Sequence, residues 1–381
     1  MKEKKRLLIY YPPNNRAIGL NAVIDLLNDL DVEIFVLTQT PWGELHNDIE
    51  KKLLPGHCAG SENKQVRGIS FYYYHTKQLI RFCKKNKINI VFSHLQAGNL
   101  VSIMASMFLR STRFIFFRHH FHYFKKFKAD YLKVGKNELF GEKIINRFAK
   151  TIVVPSSTVK QGMIEYEAVS PSKIRLIPYV YNFNEYPEVN FTNVSKIKSD
   201  YKTHLLLLMC SRFVEPKRHR LVLSVMKNLV IGKQLDIKLL LLDEGHLKEE
   251  MKKLVVEKGL EKNVFFVGYT RNVLDYMAAS DLLVHPSLAE ASNSSVKEMG
   301  LAGRTAVVCS GVGDFDDYIT NNEDGFLIDP NNSGQELEAA IEFAYHNTDK
   351  LNKMGAALKK KVVSKFSPND EIRNQYKSLL N

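Results

Sequence analysis

An α/β protein with two doubly wound parallel sheets is the fold class that the 381-residue sequence predicts. Three observations carry the prediction. Short apolar runs alternate with longer amphipathic stretches. The alternation loosens once, near the middle of the chain. It then restarts with the same rhythm. The length also exceeds what one ordinary core holds, which agrees with two domains.

The elements follow in order. RLLIYYP (6–12) reads as a first buried strand, GLNAVIDLLNDL (19–30) has helical spacing, and VEIFVLT (32–38) is a second strand. INIVFSHL (88–95), RFIFFRH (113–119) and KTIVVPS (150–156) are again short and apolar, as parallel strands covered on both faces are. IPYVYNFNEYPE (177–188) is rich in Pro, Asn and Tyr and marks the linker. HLLLLMCS (204–211) is a strand, RLVLSVMKNLV (220–230) a helix and IKLLLLDEG (237–245) a strand. A charged helix follows, then strands in KNVFFVGY (262–269), SDLLVHPS (280–287) and TAVVCSG (305–311). The chain from about Lys359 reads as helix. The expected division is residues 1–182, residues 183–365 and a C-terminal helix over 366–381 that crosses back to the first domain. Two such halves facing each other would form a ligand cleft.

Composition narrows the function classes. No apolar run approaches the ~18 residues of a membrane span. The start, MKEKKRLLIYYPPNN, reads as a buried strand rather than a signal peptide, because no small-residue cleavage site follows. Cys58, Cys83, Cys210 and Cys309 are scattered, without metal spacing or the density of a disulfide scaffold, and read as buried thiols in a reducing cytoplasm. The net charge of +13 is unevenly placed. Residues 1–150 hold 25 Lys and Arg against 12 Asp and Glu, whereas residues 151–381 hold 29 of each. Residues 51–150 alone carry 20 cations against four acids. One-sided charge of this kind implies a large anionic partner: nucleic acid, an anionic membrane or a phosphorylated ligand.

Two stretches carry chemistry. In SRFVEPK, Arg212 and Lys217 follow a strand directly, at the sheet edge where doubly wound folds bind ligands. A planar fork and a point charge there suit phosphate, while the bland reading is an ordinary charged loop. In HPSLAEASNSSVKEMGLAG, Glu290 and Glu298 are separated by seven residues. The SNSS between them, Ser292–Ser295, supplies capping residues for a following helix, whose first N–H groups form an anion site. One acid before the helix and one inside it suit a sugar nucleotide better than a bare phosphate. The bland reading is a capping box with a surface Glu.

The order SRFVEPK, LLLLDEG, NVFFVGYTRNVLDYMAASDLLVHPSLAEASNSSVKEMGLAGRTAVVCSGVGDFDDYI, EDGFLIDP resembles the nucleotide-binding half of the retaining GT-B glycosyltransferases, family 4 type (glycosyl transferases group 1). The resemblance is strong over about residues 204–330 and looser before. It implies that Arg212 and Lys217 hold the donor diphosphate, that Glu290 meets the donor sugar and that Glu298 meets the ribose. Backbone from Asn293 through Ser294 and Ser295 to Val296 would meet the diphosphate, and the base would stack near Tyr269 and Arg271. The resemblance implies no metal and no cofactor, since cations and helix N–H groups could neutralise the leaving diphosphate. Two loops depart from the family pattern. PPNNRAIGLN has only Gly19 where a glycine pair is usual, so that Asn14, Asn15 and Arg16 stand in. GVGDFDD brings Asp314 and Asp316, either as donor-sugar selectors or as an acidic surface turn.

FFRHHFHYFKKFK (116–128) is read through the same resemblance, which places a histidine at this strand end against the donor sugar: His119, with His120 close behind. HHFH lacks metal spacing and has no carboxylate companion in the sequence, and His122 reads as a partly buried ring. In the tail, Phe121, Tyr123, Phe124 and Phe127 interleave with Lys125, Lys126 and Lys128, a pattern expected of a monotopic membrane contact, while the bland reading is a strand end packed in the core followed by a solvated basic loop. The expected function is hexosyl transfer, with retention, from a nucleoside-diphosphate sugar to a lipid-linked or polysaccharide acceptor in surface-glycan assembly (lipopolysaccharide or capsule). The expected location is the cytoplasm, peripheral on the inner face of the cell membrane. The alternatives are a sugar-nucleotide epimerase or hydrolase of the same fold, a basic nucleic-acid-binding protein and an inactive partner subunit. No nucleic-acid module signature supports the third.

Overall fold

The computed structural model describes residues 4–13, 18–61 and 67–381. Asn14, Asn15 and Arg16 lie outside the described residues. The chain divides into two compact units. The first holds residues up to Lys126, Lys133–Asn182 and Phe366–Asn381; the second holds Phe127–Leu132 and Phe183–Lys365.

The described strands of the first unit are β1 (Lys5–Tyr11), β2 (Val32–Thr38), β3 (Cys58–Ala59), β4 (Ile90–His94), β5 (Arg113–Phe117), β6 (Ile152–Val154) and β7 (Ile174–Leu176). They form one parallel sheet in the order β3-β2-β1-β4-β5-β6-β7. The order reverses at β1, and in such sheets the carboxyl ends beside the reversal are the ligand side. His94 pairs with Phe117, so the ends of β4 and β5 open at the same edge. The β5 strand stops at Phe117, two residues short of the expected end at His119, and His119 therefore lies on the loop beyond it.

The second unit repeats the plan with β8 (Leu205–Cys210), β9 (Ile237–Leu242), β10 (Val264–Gly268), β11 (Leu282–His285), β12 (Thr305–Cys309) and β13 (Phe326–Ile328). Their order is β10-β9-β8-β11-β12-β13, again all parallel. Leu205, Leu207, Leu208, Leu282, Leu283 and Val284 are fully buried, as expected of strands covered on both faces.

The single C-terminal helix read from about Lys359 is in fact two. Thr348–Phe366 ends before Pro368, which disfavours helix in the residue ahead of it and lacks the N–H to continue one. Asn369 then caps Asp370–Leu380, its side chain accepting from the Ile372 N–H at 2.9 Å. This last helix belongs to the first unit, where Ile372, Tyr376, Leu379 and Leu380 join a core with Leu7, Leu26 and Phe92. Arg373 fastens its outer side to Asp29 at 3.0 Å. All four cysteines are free, and burial pushes each thiol up to about 12. Among the described residues no helix is long and apolar enough to cross a membrane.

Tyr376 is 4% exposed, with its ring 6.3 Å from that of Phe92. Tyr376→Ala should therefore lower the unfolding free energy by about 3 kcal/mol or more, as large core truncations do. Urea denaturation checks this; a loss under about 1 kcal/mol would show that the last helix is not part of the first unit's core.

Candidate active site

The second unit gathers its chemistry at the carboxyl ends of β8, β11 and β12, which are adjacent in the sheet. His285 is the last residue of β11, and Glu290 follows five residues later. The Glu290 carboxylate receives Nε2 of His285 at 2.7 Å and is paired with the Lys217 ammonium. Lys217 arrives from the loop after β8, which is tied to the β11 loop where the Leu288 N–H donates to the Pro216 carbonyl at 3.0 Å. Burial would raise the Glu290 pKa, but His285 and Lys217 outweigh it and hold the carboxyl far below its usual range. Burial also lowers His285, so the imidazole is neutral and donates its Nε2 proton to the carboxylate.

Behind this acid lies a second ion pair. Lys297 and Asp314 are buried and 2.8 Å apart, with Ser292 donating to Asp314 at 2.5 Å and Lys297 donating to the Asn293 carbonyl at 3.1 Å. Burial pushes Asp314 up and Lys297 down, and each opposes the other's shift. Asp316 accepts from the Ser310 hydroxyl and the Gly311 N–H, both at 2.6 Å. Asp314 is buried and so is no surface turn; both of its internal donors meet Oδ2, and Oδ1 has no hydrogen-bond partner among the described residues. Asp316 closes its own loop. Gly313 has φ +57, and a Cβ there would sit 2.9 Å from the Glu290 Cβ, so both backbone and space require glycine.

The helix Ser294–Leu301 starts at Asn293, whose side chain accepts from the Val296 N–H at 3.0 Å. This corrects one expected contact. The Val296 N–H is taken by the cap and its side chain is buried, so the helix start offers ligands the N–H groups of Ser294 and Ser295. Glu298, one turn in, is nine-tenths buried; burial raises its pKa to about 7 against the pull of Lys297 and the nearby Tyr186 hydroxyl. Arg212 is exposed, as are Tyr269 and Arg271. The LLLLDEG motif places Gly245 against this loop: a Cβ there would lie 2.5 Å from the Phe213 carbonyl oxygen. The Phe213 N–H donates to the Glu244 carbonyl at 3.0 Å, which fixes the backbone next to Arg212.

In the first unit His119 bonds through Nδ1 to the Tyr179 hydroxyl and stacks at 5.8 Å on His94, which itself stacks on Phe117 at 4.3 Å. Burial, then the neighbouring His120 and Arg118, push the His119 pKa down to about 3. The ring is neutral, and its Nε2 has no hydrogen-bond partner among the described residues. His120 is exposed. Gly19 lies in the first turn of the helix Ile18–Asn28, and an added Cβ there would make only an ordinary 3.7 Å contact with the Val180 carbonyl.

Two expectations for FFRHHFHYFKKFK are corrected. The histidines do acquire carboxylate neighbours, from helices distant in sequence: Glu142 and Glu167 lie 3.6 and 3.9 Å from Nε2 of His122. Arg118 already pairs with both acids, the second at 3.2 Å. The expected membrane contact of the tail loses Tyr123, which is buried. Phe121 and Tyr123 are buried, Phe124 and Phe127 are half-buried, and Lys125 donates to the Tyr166 carbonyl at 2.5 Å. Lys126 is half-buried, and Phe127 and Lys128 already group with the second unit.

Sequence reasoning missed His285, Lys297, Tyr186, Tyr179 and His94. His285 had a signal, since it ends an apolar strand five residues before the first acid. Lys297 sits at a position where helical periodicity permits burial, but its partner Asp314 is distant in sequence.

Comparison with known proteins follows the same division. Residues 21–182 match the family model Glycosyltransferase Family 4, and residues 190–361 match Glycosyl transferases group 1. The chain is 26% identical over 193 residues to poly(ribitol-phosphate) alpha-N-acetylglucosaminyltransferase of Staphylococcus aureus, 50% of this chain and only 38% of that protein. It is 25% identical over 303 residues to N-acetylgalactosamine-N,N'-diacetylbacillosaminyl-diphospho-undecaprenol 4-alpha-N-acetylgalactosaminyltransferase of Campylobacter jejuni, 77% of this chain and 76% of that one. Among solved structures, Anabaena HepE in complex with UDP-glucose aligns with TM-score 0.78 at 16% identity, over 98% of this chain and 99% of that one. Sucrose-phosphate synthase from Thermosynechococcus elongatus aligns with TM-score 0.80 at 15% identity, over 99% and 98%. At these identities the structural likeness establishes the fold.

Glu298 supplies a pH test. Its folded pKa lies above that of the unfolded chain, so its contribution to stability is present below about pH 4.5 and is lost as pH rises through about 7. Glu298→Gln should flatten the stability profile between pH 5 and 7 by up to about 1.4 kcal/mol per pH unit. Thermal melts of both proteins across that window check it; parallel profiles would mean that Glu298 titrates normally.

Proposed function

The chain belongs to the glycosyl transferases group 1 of the family 4 type, with the GT-B fold, and on that premise we propose that it transfers a sugar, with retention, from a nucleoside-diphosphate sugar to a lipid-linked or polysaccharide acceptor in surface-glycan assembly. The observation that carries the reading is Glu290, buried yet ionised by Lys217 and His285, one turn before a helix start with two available N–H groups.

As the bond between sugar and diphosphate breaks, negative charge grows on the leaving group. Lys217, Arg212 and the Ser294 and Ser295 N–H groups are the donors for it. They are fixed before the reaction by Asn293, Gly245 and the Pro216–Leu288 bond, so little reorganisation is left for the transition state. This charge neutralisation does not call for a divalent metal. Glu290, an acceptor only, suits donor-sugar hydroxyls, and Glu298 suits the ribose. His119, neutral and with its Nε2 unpartnered among the described residues, suits a hydroxyl of the sugar. The uridine nucleotides in the solved relatives' crystals make UDP-sugars the first donors to try, and the relatives that act on diphospho-undecaprenol glycans support a lipid-linked acceptor.

A thermal-shift series with UDP-, GDP- and ADP-sugars tests the donor, since a ligand at 100 times its Kd adds about 2.7 kcal/mol to the native state. One class should raise Tm; no shift with any would remove the donor site. Arg212→Ala, at an exposed position, should keep wild-type Tm while lowering turnover by about 10²-fold or more. Lys217→Ala should lower both, because it also strips a partner from buried Glu290. A loss of tenfold or less in turnover for both variants would take them off the diphosphate.

A further inference from the structure

Three helices of the first unit, Ile69–Lys85, Leu95–Ser106 and Lys136–Phe148, lie side by side with the middle one packed on both others. Thr76 meets Met104 at 3.7 Å on one flank, and the Gln96 amide donates to the Glu138 carbonyl at 2.6 Å on the other. Their outward side is apolar and cationic at once. Tyr73, Met107, Phe108, Phe140 and Phe148 are 64% to 66% exposed, and Ile69 is 89% exposed. Interleaved on the same ridges are exposed Lys77, Arg81, Lys84, Lys136, Lys143 and Arg147. The first two helices contain no acid. In the third, Glu142 is buried against Arg118 and Glu138 is half-buried.

Large apolar side chains in water mark a partner when they cluster, and cations without neighbouring acids mark that partner as anionic. A second copy of the chain fits poorly, because a twofold contact would set the same cations face to face. Rings and thioethers at headgroup depth, with flexible cations reaching anionic phosphates, fit a bilayer surface. We infer that this three-helix face, and not the Tyr123–Lys128 tail, docks the protein on an anionic membrane. The inference rests on the lipid-linked acceptor proposed above, since such an acceptor is held in that membrane.

Flotation of the full chain with phosphatidylglycerol-containing vesicles, against pure phosphatidylcholine vesicles and across a salt series, is the test. Wild type should float with the anionic vesicles and release as salt rises. Met107→Ser/Phe108→Ser/Phe148→Ser and Lys77→Glu/Arg81→Glu/Lys143→Glu/Arg147→Glu should each reduce partitioning by about tenfold or more. Lys253→Glu/Lys262→Glu, on the second unit, should not. The face is overturned if wild type stays unbound, if both face variants float like wild type, or if they change the mass seen by light scattering, which would reveal a second copy as the occupant. Donor-induced Tm shifts are measured on the same samples. A retained shift with lost flotation shows that the variants are folded, and absence of a shift in wild type would sink the transferase reading while leaving the flotation result to decide the face.

Discussion

A carboxylate withdrawn from water sets the terms for the second unit. Glu290 stays ionised there because His285 and Lys217 both reach it. A unit pair about 4 Å apart at an effective dielectric near 20 interacts by ~4 kcal/mol before desolvation, which is the scale for Lys217, and the neutral His285 adds a hydrogen bond to the carboxylate. The two come from different strands. His285 ends β11, and Lys217 follows β8. Only a sheet in which those strands are neighbours can assemble the group, and the order β10-β9-β8-β11-β12-β13 makes them so.

The loops around Glu290 are fixed by devices that leave little freedom. Gly313 lets the β12 loop pass within contact of the Glu290 side chain, and Gly245 lets the β9 loop press on Phe213. The Lys297–Asp314 pair joins the helix Ser294–Leu301 to the β12 loop, with Ser292 bonded to the same acid. A buried pair of this kind is weak evidence for added stability, since apolar residues of the same volume often do as well. Its better-supported effect is registry: it sets where the helix start stands relative to Glu290. Preorganised donors of this kind are what electrostatic catalysis requires.

Much of this was legible in the sequence, and the reasons separate cleanly. Long apolar runs such as LLLLMC and IKLLLL announce strands because burial on both faces requires them. The strands Cys58–Ala59, Ile174–Leu176 and Phe326–Ile328 are too short to show any period, and the first and last lie at sheet edges. Arg212, Lys217, Glu290 and Glu298 were legible because local order places them at strand and helix ends. The buried Lys297–Asp314 pair and the placement of Tyr186 near Glu298 were not, since each arises only through the fold. The aromatic and basic tail reads two ways for the same reason. Alternation of rings and cations is equally the signature of a surface and of a segment that buries its rings, and Phe121 and Tyr123 bury theirs.

The two units also treat charge in opposite ways. In the second, acids and bases nearly balance, and two buried ion pairs stand at Glu290 and Asp314. In the first, burial takes up one compact group, Arg118 with Glu142 and Glu167. Those two acids are used inside, while Lys77, Arg81, Lys136, Lys143 and Arg147 remain on the outside. Self-repulsion among surface cations opposes compactness and adds nothing to the core. The fold neither needs nor neutralises this excess and leaves it on the surface, with large apolar side chains set among the cations.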